Sequence, residues 1–427
     1  MTGSSLDCTI RTSAPVTAPQ GDRITETSAA QTLAADPPLP DPASRNHVGS
    51  ATEGPTGQRL KYPALLAFSE VLAQADTFDA IIDVRSPGEF AEDHLPGAIN
   101  CPVLDDDERI RIGTLYKQVN AFEAKKAGAA LVSHNIGRHI ETVFMDKPRD
   151  WKPLVYCWRG GNRSGAMAHV LARIGWHAVQ LDGGYKEFRR HINTALTTLP
   201  GRFRYRVICG TTGSGKSRLL ETLAATGAQV LDLELLAAHR GSVLGHLPDT
   251  AQPSQKMFET RIWEKLRAFD PALEVFIESE SKKVGNVRVP DALMDAMRAA
   301  PCVALALPDA ARVALLMADY AHFVDSPDAL NRQLDCLTPL YGAVPIKRWQ
   351  QMASGGAMET LVSELLVQHY DPAYRRSIAR NFSQFANAQI LEMPEFSDAA
   401  FAAAAASLYP PAALHVTMAT PPPIQTP

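Results

Sequence analysis

From about residue 62 onward, short apolar runs ending in charge or in Gly and Pro alternate with longer stretches at helical spacing. Ala64 to Leu72 has helical spacing and predicts a first helix. Asp79 to Arg85 predicts a short buried strand that ends in charge. Ser86-Pro87-Gly88-Glu89 opens a helix, with Ser as cap and Pro in the first turn. His94 to Asn100 is a turn into another strand. Helices follow over Asp106 to Val119 and roughly Ala121 to Phe144. Pro153 to Tyr156 is a buried strand, Ser164 to Ala172 an alanine-rich helix, and His177 to Leu181 a further strand.

The pattern then repeats. Arg202 to Cys209 alternates charged and apolar residues before a buried end, Arg218 to Ala225 is helical, and Gln229 to Asp232 and Leu273 to Ser281 are strands. Helices over Asp291 to Ala299 and Ala310 to Ala321 flank a strand at Pro301 to Leu307. Helices over Ser326 to Leu337, Ile346 to Ser354 and Gly356 to Tyr370 follow. Strands alternating with helices predict α/β architecture with parallel sheets. The expected division is a disordered extension over 1–58, one α/β domain over 59–198 and a second over 199–325. A helical C-terminal part covers 326–409, and 410–427 is a disordered tail. The two ends are poor in large apolar residues and rich in Pro, Ser and Thr.

Composition changes this picture little. The 427 residues are 45% apolar and 21% charged, with a net charge of −4, so nucleic-acid binding must come from local patches. Six cysteines form no CxxC pair, which argues against a zinc site or a disulfide framework. No run reaches transmembrane length, so no membrane partner is expected and the cytoplasm is the expected location.

Two stretches carry chemistry. In Cys157-Trp158-Arg159-Gly160-Gly161-Asn162-Arg163-Ser164 a strand delivers a cysteine into a glycine turn ahead of a helix N-terminus. Backbone amides there form an anion nest, and Arg159 and Arg163 add fixed charge with fork geometry. That is the setting of a reactive thiolate, Cys157, handling a chalcogen or phosphoryl group. A buried structural cysteine is the plainer alternative.

The second stretch is Gly210-Thr211-Thr212-Gly213-Ser214-Gly215-Lys216-Ser217, a G-x4-G-K-S loop between strand and helix. Its amides cradle phosphates, Lys216 reaches outer phosphate oxygens, and the Ser217 hydroxyl can ligate Mg²⁺. The pattern leaves open whether the ligand is a nucleotide such as ATP or a non-nucleotide diphosphate. Asp232, Glu278 and Glu280 stand at strand ends, where they either organise a metal or cap the next helix. Tyr374, Arg375 and Arg376 interleave an aromatic with cations, as base stacking and phosphate neutralisation need, or form a packed helix junction. Trp158 is a stacking platform for a base or a cover for its own loop.

The Asp83-to-Phe90 stretch, His94 to Asn100, the Cys157 loop and Gly183-Gly184 resemble a rhodanese domain in order and spacing. That resemblance implies a persulfide or perselenide on Cys157. Arg163, however, lies six residues after Cys157, one more than the common sulfurtransferase loop, and this C-x5-R spacing resembles phosphatases. A tetrahedral phosphorus donor suits the longer loop. With the P-loop, Asp106-Asp107-Glu108-Arg109, Gly113 to Gln118, Asp232-Leu233-Glu234, His239 to Ser242, Glu278 to Ser281 and Tyr370-Asp371-Pro372, the region 60–385 resembles tRNA 2-selenouridine synthases. The resemblance implies exchange of sulfur for selenium at C2 of the thiolated wobble uridine in a tRNA anticodon loop. It also implies selenophosphate as donor, geranyl diphosphate as alkylating co-substrate, and a selenophosphate-producing enzyme as a candidate partner. Cys157 would accept selenium, and Arg159 and Arg163 would hold phosphate. A P-loop NTPase or kinase with a regulatory rhodanese-like module, and a C-x5-R phosphatase, are the competing classes.

Overall fold

The computed structural model describes residues 62–410, apart from 243–244, 246–249, 322 and 324–325. The expectations for 1–58 and, beyond Pro410, for the tail lie outside the described residues. Strands β1 (Ala64–Leu66), β2 (Ala80–Asp83), β3 (Ala98–Asn100), β4 (Pro153–Tyr156) and β5 (Val179–Leu181) form a sheet ordered β1-β5-β4-β2-β3. Every neighbouring pair is parallel. Because side chains alternate along a strand, Leu154 and Tyr156 of β4 enter one apolar cluster while Val155 and the following Cys157 enter the other. A helical hairpin, Asp106–Gln118 and Ala121–His139, is inserted between β3 and β4. Asp105 and Asn120 cap its two helices.

The helix expected over Ala64 to Leu72 is split. Ala64-Leu65-Leu66 pairs with β5, and the helix runs only over Phe68–Ala73. Three apolar residues fit either period, so the free edge of β5 decides. Glu70 accepts a hydrogen bond from the extended Ala67 amide and fixes the helix start there.

The second sheet holds β6 (Arg204–Cys209), β7 (Gln229–Leu231) and β8 (Glu274–Glu278). A short hairpin follows, β9 (Lys283–Val284) with β10 (Val287–Arg288), and then the sheet strands β11 (Cys302–Ala306) and β12 (Gln389–Glu392). The order is β12-β11-β6-β8-β7, again parallel, with the loop after central β6 at the carboxyl edge of the sheet. Ligands of open parallel sheets bind at that edge.

The helical segments expected after residue 326 do form, but the chain does not end in them. They are inserted between β11 and β12 and enclose a core of their own around buried Trp349, Leu334 and Leu361. The chain then returns to the sheet as β12. The final helix, Asp398–Leu408, packs Phe401 and Ala405 against Leu219, Leu220 and Leu223 of the helix behind the phosphate loop. Strand β12 has mostly exposed positions and little apolar signal, so its place in the sheet is set by pairing to β11.

The two sheet domains share an interface. The helix Gly184–Ala195 faces Gln255–Ala268, with Phe188 edge-on to Trp263 at 6.0 Å. Arg189 ion-pairs with Glu259, and Lys256 bonds Glu92 at 2.7 Å.

Candidate active sites

Cys157 follows β4 directly and precedes the helix Asn162–Ile174. Its turn is held by tight backbone packing. Gly184 sits at φ +56°, and a Cβ there would stand 2.3 Å from the Cys157 carbonyl oxygen and 2.5 Å from the Gly160 amide nitrogen. No other residue fits that approach without moving the turn. The Tyr185 and Lys186 amides then donate to the carbonyls of Cys157 and Trp158, at 2.8 and 2.9 Å. Gln180 Nε2 closes the far side by donating to Gly160 O at 2.5 Å.

Cys157 is buried, at 2% exposure, and its sulfur accepts a 3.3 Å hydrogen bond from the buried Ser164 hydroxyl. The sequence led us to expect a reachable nucleophile. Here the residue is buried, and a substrate meets Sγ only if its surroundings shift. Arg163 is turned to Glu89, at 3.0 Å, and Arg109 approaches the same carboxylate at 3.7 Å. Burial pushes the Glu89 carboxyl up, but the two guanidinium groups outweigh it and leave the group below its ordinary value. Glu89 also closes the capping box of the helix Pro87–Glu92. Its charged role was missed because Ser86 to Glu89 already made sense as a helix start. Arg159 lies beside the turn, half-buried. Trp158 leans on Tyr185, with centroids 5.2 Å apart, and packs against the core. It covers its loop in this structure and does not stand out as a platform.

Beneath the turn, Arg85 binds Asp83 at 2.6 Å and the Asp93 carbonyl at 2.6 Å, and stacks 4.0 Å from the Tyr185 ring centroid. Burial alone would lower its basicity, but the paired Asp83 more than offsets that. Asp93 in turn accepts the Tyr185 hydroxyl at 2.8 Å. This fully buried pair anchors the segment that supports Cys157, and breaking it would strand a charge.

At the second site β6 ends in the phosphate loop, and Lys216 begins the helix Lys216–Ala225. Gly215 is left-handed at φ +84°, and a Cβ on it would strike the Phe401 ring at 2.5 Å. The final helix thus presses on the loop. Lys216 Nζ donates to Gly210 O at 3.0 Å, folded back onto its own loop. Tyr374, expected as a nucleic-acid contact, accepts the Gly210 amide at 2.7 Å and lies against the loop. Arg375 and Arg376 next to it are exposed. Arg312, which sequence reasoning did not single out, is 4% exposed. It grips the Thr212 carbonyl at 2.8 Å and Asp371 at 2.6 Å, tying the loop to the inserted helices. Its pair with Asp309, at 2.9 Å, is the only local one, and nothing in the local sequence marks the two partners that tie it to the site, which are distant along the chain.

The acidic residues gather opposite Ser217. The Ser217 hydroxyl donates to Glu234 at 3.2 Å, and the Glu234 amide donates to Glu278 at 2.8 Å. Glu234 is therefore a carboxylate bonded to the loop, while Asp232 caps its helix by accepting the Leu235 amide. Burial, and then crowding by Glu234, pushes Asp232 up to about 6. Burial and neighbouring carboxylates also hold Glu278 and Glu280 well above the ordinary range. Among the described residues no three His, Cys, Asp or Glu side chains could hold a metal ion by themselves. Mg²⁺ needs less, since it is typically held by one or two protein oxygens plus substrate phosphate. Ser217, Glu234 and the orphaned buried Glu278 Oε2 fit that demand.

The loop opens into a cleft of about 640 Å³. Its lining is part polar, with Lys216, Ser217, Glu280 and Arg240, and part apolar, with Leu315, Leu316, Tyr320 and Leu340. A second hollow, also of about 640 Å³, lies outside the Cys157 turn, between Gly161, Asn162 and Gln180. No described helix is long and apolar enough to cross a membrane.

Residues 68–191 match the rhodanese-like domain family, and residues 203–333 match the tRNA 2-selenouridine synthase AAA domain. The chain is 36% identical over 253 residues to tRNA 2-selenouridine synthase of Nitrosomonas europaea, covering 58% of this chain and 64% of that protein. It is 34% identical to the Aeromonas salmonicida enzyme of the same name, again spanning just under two thirds of it, 65%. The match to tRNA 2-selenouridine synthase of Sulfurovum sp. is 32% identical and covers 76% of this chain and 98% of that protein. Both domains and the order in which they follow each other are thus accounted for, and the chain belongs to the tRNA 2-selenouridine synthase family.

Proposed function

We propose that this chain is a tRNA-modifying transferase that replaces sulfur by selenium at C2 of a thiolated wobble uridine. Selenophosphate is the donor, and geranyl diphosphate first alkylates the C2 sulfur. The observation that supports this most is the presence in one chain of Cys157 in a glycine-tight anion turn and a complete phosphate loop ending in Lys216 and Ser217.

The phosphate loop is the alkylation site. The C2 sulfur attacks the first carbon of the geranyl group, and the diphosphate departs into the loop amides and the Lys216 charge. Mg²⁺, held through Ser217 and Glu234, would neutralise that leaving group. ATP has no step to perform in this scheme.

The electron count shapes the role of Cys157. Moving selenium from selenophosphate onto a thiolate as a perselenide removes two electrons, and the scheme contains no oxidant. Substitution at C2 balances without one: selenium attacks C2 and the alkylated sulfur leaves as geranyl thiol. The Cys157 thiolate then attacks phosphorus, the selenium–phosphorus bond breaks toward selenium, and water releases phosphate from the cysteine. Arg159, Arg163 and the loop amides hold the phosphoryl oxygens, a task suited to C-x5-R spacing. Arg163 must exchange Glu89 for the phosphoryl group to do so. The exposed Arg375 and Arg376 are candidate phosphate contacts for tRNA. A reaction that makes selenophosphate must lie upstream.

The test is reconstitution. Thiolated tRNA is incubated with the protein plus geranyl diphosphate, selenophosphate or both, and the digested nucleosides are weighed. Geranylated nucleoside is expected with the first alone, and selenouridine only with both. No mass change under any combination would overturn the reading.

A further inference from the structure

The helices inserted between β11 and β12 close over a further, almost wholly apolar hollow of about 60 Å³. Leu316 and Tyr320 line both it and the phosphate-loop cleft, so the two spaces share a wall. The rest of the hollow is bounded by residues that include Met317, Leu330, Met358, Leu361 and Val362. On this measure one water needs about 10–15 Å³, so there is room for a branched alkyl end, and such a lining offers water no hydrogen bonds. Gly213, within the phosphate loop, lies against Leu316 so closely that a Cβ there would stand 2.9 Å from that side chain. The apolar wall therefore begins where the phosphates end.

We propose that this inner hollow is the tail subsite of the phosphate loop: it takes the terminal isoprene unit of a prenyl diphosphate, and Met317 and Val362 set the chain length accepted. The assignment rests on the prenyl diphosphate reading given above. The diphosphate lies on Lys216 and Ser217, the first isoprene unit passes along Leu316 and Tyr320, and the second ends among the inserted helices. Each methylene that leaves water there tightens binding about fourfold. A ten-carbon tail fills the hollow, a five-carbon tail stops short of it, and a fifteen-carbon tail overruns it where Met317 and Val362 close it. The inserted helices are then the specificity element of a domain whose sheet provides only phosphate binding.

Calorimetry on the full chain with inorganic diphosphate and with dimethylallyl, geranyl and farnesyl diphosphates tests this. Wild type should bind geranyl diphosphate at least tenfold tighter than inorganic diphosphate or the dimethylallyl ester. Val362→Phe, which fills the hollow, should remove most of that margin and leave inorganic diphosphate affinity unchanged. Met317→Ala, which lengthens the hollow, should raise affinity for the farnesyl ester relative to geranyl. Unchanged inorganic diphosphate binding doubles as evidence of folding. If wild type shows no margin between geranyl and inorganic diphosphate, the prenyl reading itself fails, and this subsite with it. If the margin exists but neither variant alters it or the chain-length order, only the placement of the tail is overturned.

Discussion

Arg312 and Asp371 form a two-pronged ion pair, at 2.6 and 3.0 Å, that fastens the inserted helices to the phosphate loop. The same guanidinium holds the Thr212 carbonyl, so loop shape and helix position are one arrangement. Arg312 is almost wholly buried, and removing Asp371 leaves it with only the exposed Asp309 carboxylate, 2.9 Å away. Asp371→Ala should therefore cost about 3 kcal/mol of stability, the lower end for a broken buried pair. Urea unfolding measures the loss, and inorganic diphosphate affinity should fall with it. Unchanged stability would show that the pair is not a fastening.

The carboxylates facing Ser217 make a pH-dependent prediction. Asp232 titrates near 6 when folded, above the usual ~3.9 of an unfolded aspartate. Its folded form holds the proton more tightly, so its stabilising share is full below the unfolded value and is lost as pH rises through about 6. Asp232→Asn keeps an oxygen for the Leu235 amide, because asparagine caps as well as aspartate. The variant should gain roughly 1–2 kcal/mol over wild type at pH 7.5, after allowance for solvent screening, and nothing at about pH 3. Thermal unfolding at the two pH values decides it, and an equal difference at both would contradict the account.

Gly184 offers a paired comparison with Gly97. Both are left-handed, at φ +56° and +74°, but a Cβ at Gly97 meets nothing within 4 Å. Gly97→Ala should cost about 1 kcal/mol from backbone strain alone. Gly184→Ala must in addition push the Cys157 carbonyl aside, so its penalty should be clearly larger and selenouridine formation should be lost. Equal penalties would mean the turn has slack.

These sites were legible in the sequence to different depths. The glycine-rich turns, Cys157 and Lys216-Ser217 are local patterns, and local patterns survive in one dimension. Glu89, Glu234 and Arg312 were missed as site residues because what defines them is a partner far along the chain: Arg163, Ser217 and Asp371. The same physics hid β1 and β12, two short edge strands whose residues suit several conformations until a neighbouring strand offers a ladder. The helices after β11 were readable one by one. Their insertion between two strands of one sheet was not, because no property of a helix sequence states where the chain returns.

The Glu89 carboxylate holds Arg163 away from any incoming anion. Glu89→Gln should release the guanidinium and tighten phosphate binding at the Cys157 turn by several-fold, read by inorganic phosphate protection of Cys157 from alkylation. No change in protection would place Arg163 outside the anion site.

The most direct test of the account is the nucleoside composition of tRNA made in cells whose only copy of this protein carries Cys157→Ala. Selenouridine should disappear while geranylated thiouridine persists or accumulates, because the phosphate-loop domain is untouched. Normal selenouridine in that tRNA would contradict the role given to Cys157.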